Sequence, residues 1–87
     1  MTAHGWRRDG TMLVRELGFR DFEEALGFVQ RVAEAAVDYG RRPDMCLYGF
    51  NRVRLTIANQ HGGALTLAEQ RLAAKVDEVI ARHPAGR

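Results

Sequence analysis

Residues 45–59 read MCLYGFNRVRLTIAN, and their apolar pattern indicates how the chain folds. In its second half, apolar side chains occupy every other position, at Val53, Leu55 and Ile57. Successive side chains of a strand point to opposite faces, so this alternation predicts a strand over 52–59 in a sheet with one covered face. The shorter apolar segment 45–48 predicts a neighbouring strand, which is joined to the first through 49–51.

A helix is predicted before this pair of strands. Asp21 can accept a hydrogen bond from a free backbone N–H at its start, with Glu24 three residues later as in a capping box. Gly40 can adopt the left-handed conformation that ends a helix, and Pro43 prevents the helix from resuming. The apolar residues between these bounds recur every three or four positions and predict a single stripe: Phe22, Ala25, Leu26, Val29, Val32, Ala33, Ala36 and Val37.

A second helix is predicted after the pair of strands. Residues 66–69 read TLAE, which matches the capping-box pattern of a Thr followed three residues later by a Glu. His83-Pro84 is expected to stop this helix. Its apolar stripe consists of Leu72, Val76, Val79 and Ile80.

Two short strands are predicted before the first helix. Asp9-Gly10 lies between the extended segments 6–8 and 12–19, and such a dipeptide is typical of a type I′ hairpin turn. Apolar residues share one phase in the second segment, where Arg15 interrupts them. The element order is therefore ββαββα. The economical packing for this order is an α+β fold, with two helices on one face of a four-stranded antiparallel sheet.

Length and composition bound the classes of protein that the chain can belong to. Its 87 residues predict a single domain over 1–87, with its core at about 6–81. The net charge is only +2, although all basic residues except Lys75 are arginine, and this weak charge makes nucleic-acid binding a poor fit. The absence of a long apolar run or a signal-peptide pattern predicts a cytoplasmic protein that does not enter a membrane. The single cysteine, Cys46, excludes an internal disulfide, predicts no metal site, and is expected to be a buried, inert thiol.

Segments spread over most of the chain resemble the pterin-4a-carbinolamine dehydratases, also called 4a-hydroxytetrahydrobiopterin dehydratases. The matching residues are Trp6, 19–22, 25–28, 31–33, 42–44, 51–53, 62–66 and 72–73. The ββαββα fold of this family agrees with the order predicted above. Its members are lyases that remove water from 4a-hydroxytetrahydropterin during pterin cofactor recycling. The resemblance therefore implies a pterin as substrate or ligand, and no separate cofactor.

The residues that carry proton transfer in the family are replaced in this chain. The resemblance places the family's paired histidines at Arg41 and Arg42, its third histidine at Gln60 and its carboxylate at Glu69. Imidazole suits acid–base catalysis near neutral pH, whereas a guanidinium keeps its proton and an amide does not titrate. The resemblance thus implies a degenerate or retuned active site with weak or absent activity, and it leaves open whether the chain is an enzyme. The capping box alone is sufficient to explain Glu69, and a pocket role is an addition to it.

Other residues at the implied pocket keep both a functional and a structural interpretation. Pro43 and Asp44 follow the family pattern and are candidate ligand-binding residues. His61 either reaches the pocket in place of the lost histidine or is a solvated loop residue. Arg41 and Arg42 either bind a ligand, through paired hydrogen bonds and stacking on a ring, or form a solvated pair that the dipole of the preceding helix favours.

The resemblance also leaves open a second class of function, which is not enzymatic. Family relatives without the histidines include a RuBisCO assembly factor of the alpha-carboxysome, and a vertebrate member is a dimerisation cofactor for a transcription factor. Segment 43–45 looks like the assembly factors, whereas segment 62–66 looks like the enzymes. The resemblance therefore implies a homodimer or homotetramer with either a pterin ligand or a protein partner. In the second case the chain is a non-catalytic binding or assembly module.

Overall fold

The computed structural model describes residues 5–59 and 61–82. Its elements are β1 (Arg7–Asp9), β2 (Met12–Gly18), α1 (Phe22–Tyr39), β3 (Asp44–Tyr48), β4 (Arg52–Ala58) and α2 (Leu67–Arg82). The strands form one antiparallel sheet in the order β1-β2-β4-β3, with both helices packed on one face. Neither helix is long and apolar enough to cross a membrane, within the residues described. The predicted α+β fold of order ββαββα is confirmed.

The central strand β4 organises the core. It pairs with β2 on one side and with β3 on the other. Val53, Leu55 and Ile57 are at most 1% exposed, whereas Arg52 and Arg54 on the opposite face are exposed. The buried face of β4 joins apolar residues of β2 and of both helices in one core. The alternation in the sequence therefore corresponds to a helix-covered face and an open face.

The first hairpin turns one residue later than predicted. Asp9 pairs with Met12, so Gly10 and Thr11 form the two-residue turn and Asp9 belongs to β1. The φ angle is positive at Gly10, at 62°, and not at Thr11. A positive φ at the first turn position alone is the pattern of a type II′ turn, which favours glycine there. The predicted type I′ turn over Asp9-Gly10 is wrong, although the hairpin is present.

The two ends of α1 form as predicted. Asp21 Oδ1 accepts a hydrogen bond from the backbone N–H of Glu24 at 2.9 Å. Glu24 Oε1 accepts one from the backbone N–H of Arg20 at 2.8 Å, one residue earlier than in an ideal capping box. Gly40 ends the helix with a φ of 85°, in the left-handed conformation. Local chemistry alone was sufficient to place both bounds.

The apolar residues of α1 do not form one buried stripe. A first set faces the core and is buried: Ala25, Phe28, Val32 and Ala36. Phe22, Leu26 and Val37 are instead 47%, 38% and 71% exposed. With 3.6 residues per turn, the two sets lie roughly 100° apart around the helix axis, so a sheet that covers one leaves the other uncovered. The predicted apolar stripe is therefore only partly buried.

A polar cluster joins the N-terminal strands to α2. Asp77 Oδ1 accepts a hydrogen bond from Trp6 Nε1 at 2.8 Å and lies 3.5 Å from Arg15 Nη1. Arg15 shares the inward phase of β2 but only 20% of its side chain is exposed, because it reaches this carboxylate. The charge that interrupts the apolar pattern of β2 is thus paired rather than left uncompensated in the core.

The turn between β3 and β4 holds Phe50 in an unusual conformation. Phe50 has a φ of 55°, the only positive value at a non-glycine residue in the described part of the chain, and its exposure is 67%. Asn51 fixes this turn to the end of β2, because its Nδ2 donates to the carbonyl of Phe19 at 2.9 Å. Its carbonyl also accepts from the Phe19 N–H at 2.8 Å. Phe50 therefore adopts a strained backbone without burying its ring.

Cys46 differs from its prediction. It lies in β3 opposite Arg54, on the face of the sheet that no helix covers, and it is exposed. The predicted buried thiol is wrong. The short apolar segment 45–48 gave no indication of which residues faced outward, because its phase is fixed only by pairing with β4.

Candidate functional site

An open cleft lies where β4 ends and β3 begins. Asp44 and Thr56 are directly paired across these strands, and both lie on the helix-free face. The cleft has a volume of about 520 Å³ and is lined by Arg42, Asp44, Thr56, Ala58 and Asn59. Its described lining is mostly polar, offering a guanidinium, a carboxylate, a hydroxyl and a side-chain amide. Such a surface can both donate and accept hydrogen bonds.

The loop after β4 is organised by Asn59. Its Nδ2 donates to the carbonyl of Ala64 at 3.1 Å, and its Oδ1 accepts from the backbone N–H of His61 at 3.0 Å. Gly62 closes the bend with a φ of 81°. His61 is exposed and does not line the cleft. Gln60, the predicted counterpart of the third histidine, lies outside the described residues.

The two neighbouring arginines have different environments. Arg42 is exposed and lines the cleft. Arg41 turns toward α2, where its Nη1 lies 2.9 Å from Glu69 Oε2. Pro43, which follows them, is buried and so fixes the backbone between these arginines and β3. The structure therefore brings Arg42 and Asp44 together in the cleft and separates Arg41 from them.

Glu69 lies beneath the start of α2 with both carboxylate oxygens engaged. Its Oε1 accepts hydrogen bonds from the backbone N–H and the hydroxyl of Thr66, each at 2.6 Å. Its Oε2 receives the guanidinium of Arg41, and the residue is 1% exposed. The predicted pairing of Thr66 and Glu69 is present. Arg41 closes the remaining side of the carboxylate.

The environment of Glu69 stabilises its ionised form. Burial by itself would raise its pKa, because the charged form loses hydration. The hydrogen bonds from Thr66, followed by the positive charge of Arg41, act in the opposite direction and outweigh burial, so the pKa lies below its ordinary value. A buried carboxylate that is ionised and fully paired has no proton to donate near neutral pH.

Sequence reasoning did not identify three of the residues that line the cleft: Thr56, Ala58 and Asn59. The outward phase of β4 contained the signal, since positions 56 and 58 alternate with the buried ones. The register of β4 against β3 was needed to place them beside Asp44, and this register is a property of the paired strands.

The chain is similar to known proteins over nearly its whole length. The family model for pterin 4 alpha carbinolamine dehydratase matches residues 1–79. A relative from Thermomicrobium roseum named after this enzyme is 40% identical over 75 residues, which cover 86% of this chain and 80% of the relative. A relative of the same name from Koribacter versatilis is 35% identical over 83 residues, which cover 95% of this chain and 84% of the relative.

Solved structures share the fold as well. A transcriptional coactivator/pterin dehydratase from Brucella melitensis superposes with a TM-score of 0.77 at 25% identity, covering 88% of this chain and 83% of that one. A pterin dehydratase-like protein identified as a RuBisCO assembly factor in the alpha-carboxysome gives a TM-score of 0.72 at 26% identity, covering 87% and 89%. The sequence matches and the shared fold lead to one conclusion: the chain belongs to the pterin-4-alpha-carbinolamine dehydratase family.

Proposed function

We propose that this chain is a pterin-binding member of its family in which dehydratase activity is weak or absent. The observation that carries the proposal is the ion pair between half-buried Arg41 and fully buried Glu69. This pair withdraws from the cleft one arginine and the carboxylate that the family resemblance assigns to the pocket. The other arginine, Arg42, carries a guanidinium, a group that has no acceptor for a proton and cannot act as a general base. Loss of acid–base catalysis alone lowers a rate by about 10²–10⁴-fold.

The residues left in the cleft are suited to binding the polar edge of a pterin. That edge presents two adjacent N–H donors beside a carbonyl oxygen. A carboxylate such as Asp44 can accept both N–H groups, and a guanidinium such as Arg42 can donate to the carbonyl. The backbone supports this arrangement, because buried Pro43 lies between the two residues. In this proposal the pterin is the ligand or a slow substrate, with no separate cofactor.

The setting of this function follows from the same family relationship. We expect a cytoplasmic homodimer or homotetramer. Gln60 and His61 are expected to lie near the bound ligand, since they border Asn59 at the end of the cleft. Their contribution to binding stays a prediction.

Two measurements with purified protein test the proposal. Binding of 7,8-dihydropterin is measured by fluorescence titration, and dehydration of a synthetic 4a-carbinolamine is compared with an equal mass of albumin. We expect binding that Arg42→Ala weakens at least about tenfold, the usual effect of losing a charge-assisted hydrogen bond. Arg31→Ala, which removes an exposed arginine of α1, is the matched control and should leave binding unchanged. Lack of binding, or a rate equal to that of a histidine-containing relative, contradicts the proposal.

The alternative is a non-catalytic assembly module. The specific observation in its favour is the structural likeness to the RuBisCO assembly factor, at a TM-score of 0.72 and 26% identity. The exposed apolar residues of α1 are also compatible with a protein partner. Affinity capture from the native host, with the tagged protein at its natural level, checks this alternative. Recovery of no stoichiometric partner argues strongly against it.

A further inference from the structure

The helix-free face of β4 carries an arginine beside the cleft. Alternate side chains of a strand share a face, so the next one after Thr56 on this face, toward the start of β4, is Arg54. The two positions are roughly 7 Å apart along the strand. Arg54 is exposed and lies outside the cleft lining. It is therefore the first side chain of β4 that a ligand meets when it extends out of the cleft along the sheet.

The path from the cleft to Arg54 is open. Cys46 is the residue of β3 directly opposite Arg54, and its short side chain is exposed. The other end of the cleft is bordered by the loop after β4, since Asn59 lines the cleft and donates to the carbonyl of Ala64 at 3.1 Å. A ligand longer than the cleft therefore has free space toward Arg54 rather than toward the loop.

The guanidinium of Arg54 is not engaged by a carboxylate. Among the described residues, no acidic group lies within 4.0 Å of it. Glu16 is its neighbour across β2, but Glu16 Oε1 accepts a hydrogen bond from the Tyr48 hydroxyl at 2.7 Å. Glu16 Oε2 lies 4.0 Å from Arg7 Nη1. Asp44, the other acidic residue nearby, is assigned in the proposed function to the N–H groups of a pterin. Arg54 thus keeps its donors for a ligand.

Tyr48 positions this guanidinium. The Cζ atom of Arg54 lies over the Tyr48 ring, 5.4 Å from its centroid. The ring is itself fixed, because its hydroxyl donates to Glu16. A guanidinium that lies over an aromatic face keeps the N–H donors of its edge available. Tyr48 is therefore a platform that orients Arg54 before any ligand binds.

We infer that Arg54 is an anion subsite beside the cleft, which selects pterins whose side chain is a short chain ending in a phosphate or a carboxylate. A guanidinium matches both groups through paired hydrogen bonds. The spacing of Arg54 from Thr56 requires the charge to lie roughly 7 Å beyond the part of the ligand held in the cleft. This inference rests on the proposed pterin binding and adds the class of ligand to it.

Two ligands that differ only in the charged group test the subsite. Isothermal titration calorimetry compares 7,8-dihydroneopterin with its 3′-monophosphate. The monophosphate should bind at least about tenfold more tightly at low salt, the effect of a charge-assisted hydrogen bond. This advantage should shrink as salt is raised, because Arg54 is exposed. Arg54→Gln should abolish the advantage and leave binding of the neutral ligand unchanged. Arg31→Gln, the same charge change on exposed α1, is the control and should keep the advantage.

The outcomes separate this inference from the proposed function. Equal affinity for the two ligands, or an advantage that survives Arg54→Gln, overturns the subsite and leaves pterin binding intact. Failure of both ligands to bind overturns the proposed function and the subsite with it. A third ligand, 7,8-dihydropterin-6-carboxylate, carries its charge directly on the ring and falls short of Arg54. Its affinity should not respond to Arg54→Gln, and an equal response would show general attraction to positive charge and overturn the subsite.

Substitutions of Tyr48 test its positioning role. Tyr48→Leu removes the ring beneath the guanidinium, so the ratio of the two dissociation constants should fall toward one. Tyr48→Phe keeps the ring and should keep most of the ratio. General damage to the fold weakens both ligands alike and leaves the ratio unchanged. A ratio that Tyr48→Leu does not alter therefore contradicts the positioning role.

The thiol of Cys46 reports where the phosphate lies. Cys46 faces Arg54 across the strand pair, so an anion bound to Arg54 covers it. At saturation, the monophosphate should slow alkylation of Cys46 by iodoacetamide more than 7,8-dihydroneopterin does, and Arg54→Gln should remove this difference. The control places Leu67→Cys, an exposed position on α2, in a Cys46→Ser background and should react at the same rate with either ligand. Equal protection of Cys46 by the two ligands overturns the placement of the subsite.

Discussion

At the scale of single residues, the clearest result is that Arg41 and Arg42 have different environments, although they are adjacent residues of the same type. Arg42 is exposed to the cleft, whereas Arg41 is paired with buried Glu69. The sequence located both arginines and the capping role of Glu69. It could not assign the ion pair, because Arg41 and Glu69 are 28 positions apart and meet only when α1 and α2 pack side by side. Tyr39 contributes to this packing by donating to the carbonyl of Ala68 at 3.3 Å.

The buried carboxylate predicts a specific dependence of stability on pH. Because the folded-state pKa of Glu69 is lowered, its stabilisation is fully present above the unfolded value, about 4.3, and is lost as pH falls through the folded value. Glu69→Gln should lower the free energy of unfolding by about 1–3 kcal/mol at neutral pH. This difference from wild type should shrink below pH about 4. Urea unfolding over a pH series measures it, with exposed Glu34→Gln as the control. A difference that stays constant down to acidic pH contradicts the assignment.

Restoring the family's histidines tests whether the rest of the pocket is intact. The combined change Arg41→His, Arg42→His and Gln60→His should raise the dehydration rate, by up to about 10²–10⁴-fold if proton transfer is all that was lost. The same protein should be less stable than the variant with only Arg42→His and Gln60→His, because Glu69 loses its partner. Rates with synthetic carbinolamine and unfolding midpoints give the two readouts. No gain in rate means that the pocket has been remodelled beyond these three positions.

At the scale of elements, local chemistry set the helix ends while packing decided which faces were buried. Asp21 caps the start of α1 and Gly40 caps its end, as the sequence predicted, because caps depend on residues within a few positions. The division of its apolar residues into a buried and an exposed set was not predictable, because periodicity marks all apolar positions alike. Likewise, the turn after β1 shifted by one residue, since strand pairing fixes the turn register.

Replacing Gly27 inside α1 and Gly40 at its C-terminal cap with alanine should change the stability of the fold in opposite directions. At Gly27, inside the helix, an added Cβ meets nothing within 4 Å, so Gly27→Ala should stabilise the fold by about 0.5–1 kcal/mol. Gly40 also has free space, but its φ of 85° disfavours a side chain, so Gly40→Ala should cost about 1–2 kcal/mol. Urea unfolding of both variants provides the comparison. Equal changes of the same sign in the free energy of unfolding would contradict these assignments.

At the scale of the whole molecule, the cluster around Asp77 joins the first strands to the last helix. Trp6 and Asp77 are 71 positions apart, and their hydrogen bond ties the N-terminal hairpin to α2. The same carboxylate lies near Arg15, so one group holds two segments in place. Because these residues come from opposite ends of the described chain, this contact reports on the assembled fold rather than on any one element.

Removal of the Asp77 carboxylate should loosen the whole fold. Asp77→Ala takes the shared partner from Trp6 and from the half-buried charge of Arg15, at a cost of about 1–3 kcal/mol. Glu78→Ala, one position further and exposed, should be nearly neutral and is the matched control. We expect Asp77→Ala to have a lower unfolding midpoint and a changed Trp6 fluorescence in the folded state. Equal stability of the two variants contradicts a joining role for Asp77.

The amino-acid sequence was sufficient to predict the element order, the helix caps, the inward face of β4 and the family of this protein. These features depend on residue spacing and on chemistry within a few positions, which a linear chain contains. Only the tertiary structure decided that Arg41 pairs with Glu69, that Arg42 shares a cleft with Thr56 and Asn59, and that Cys46, Phe22, Leu26 and Val37 are exposed. Those outcomes depend on strand register and helix packing, which bring together residues that are far apart in the chain.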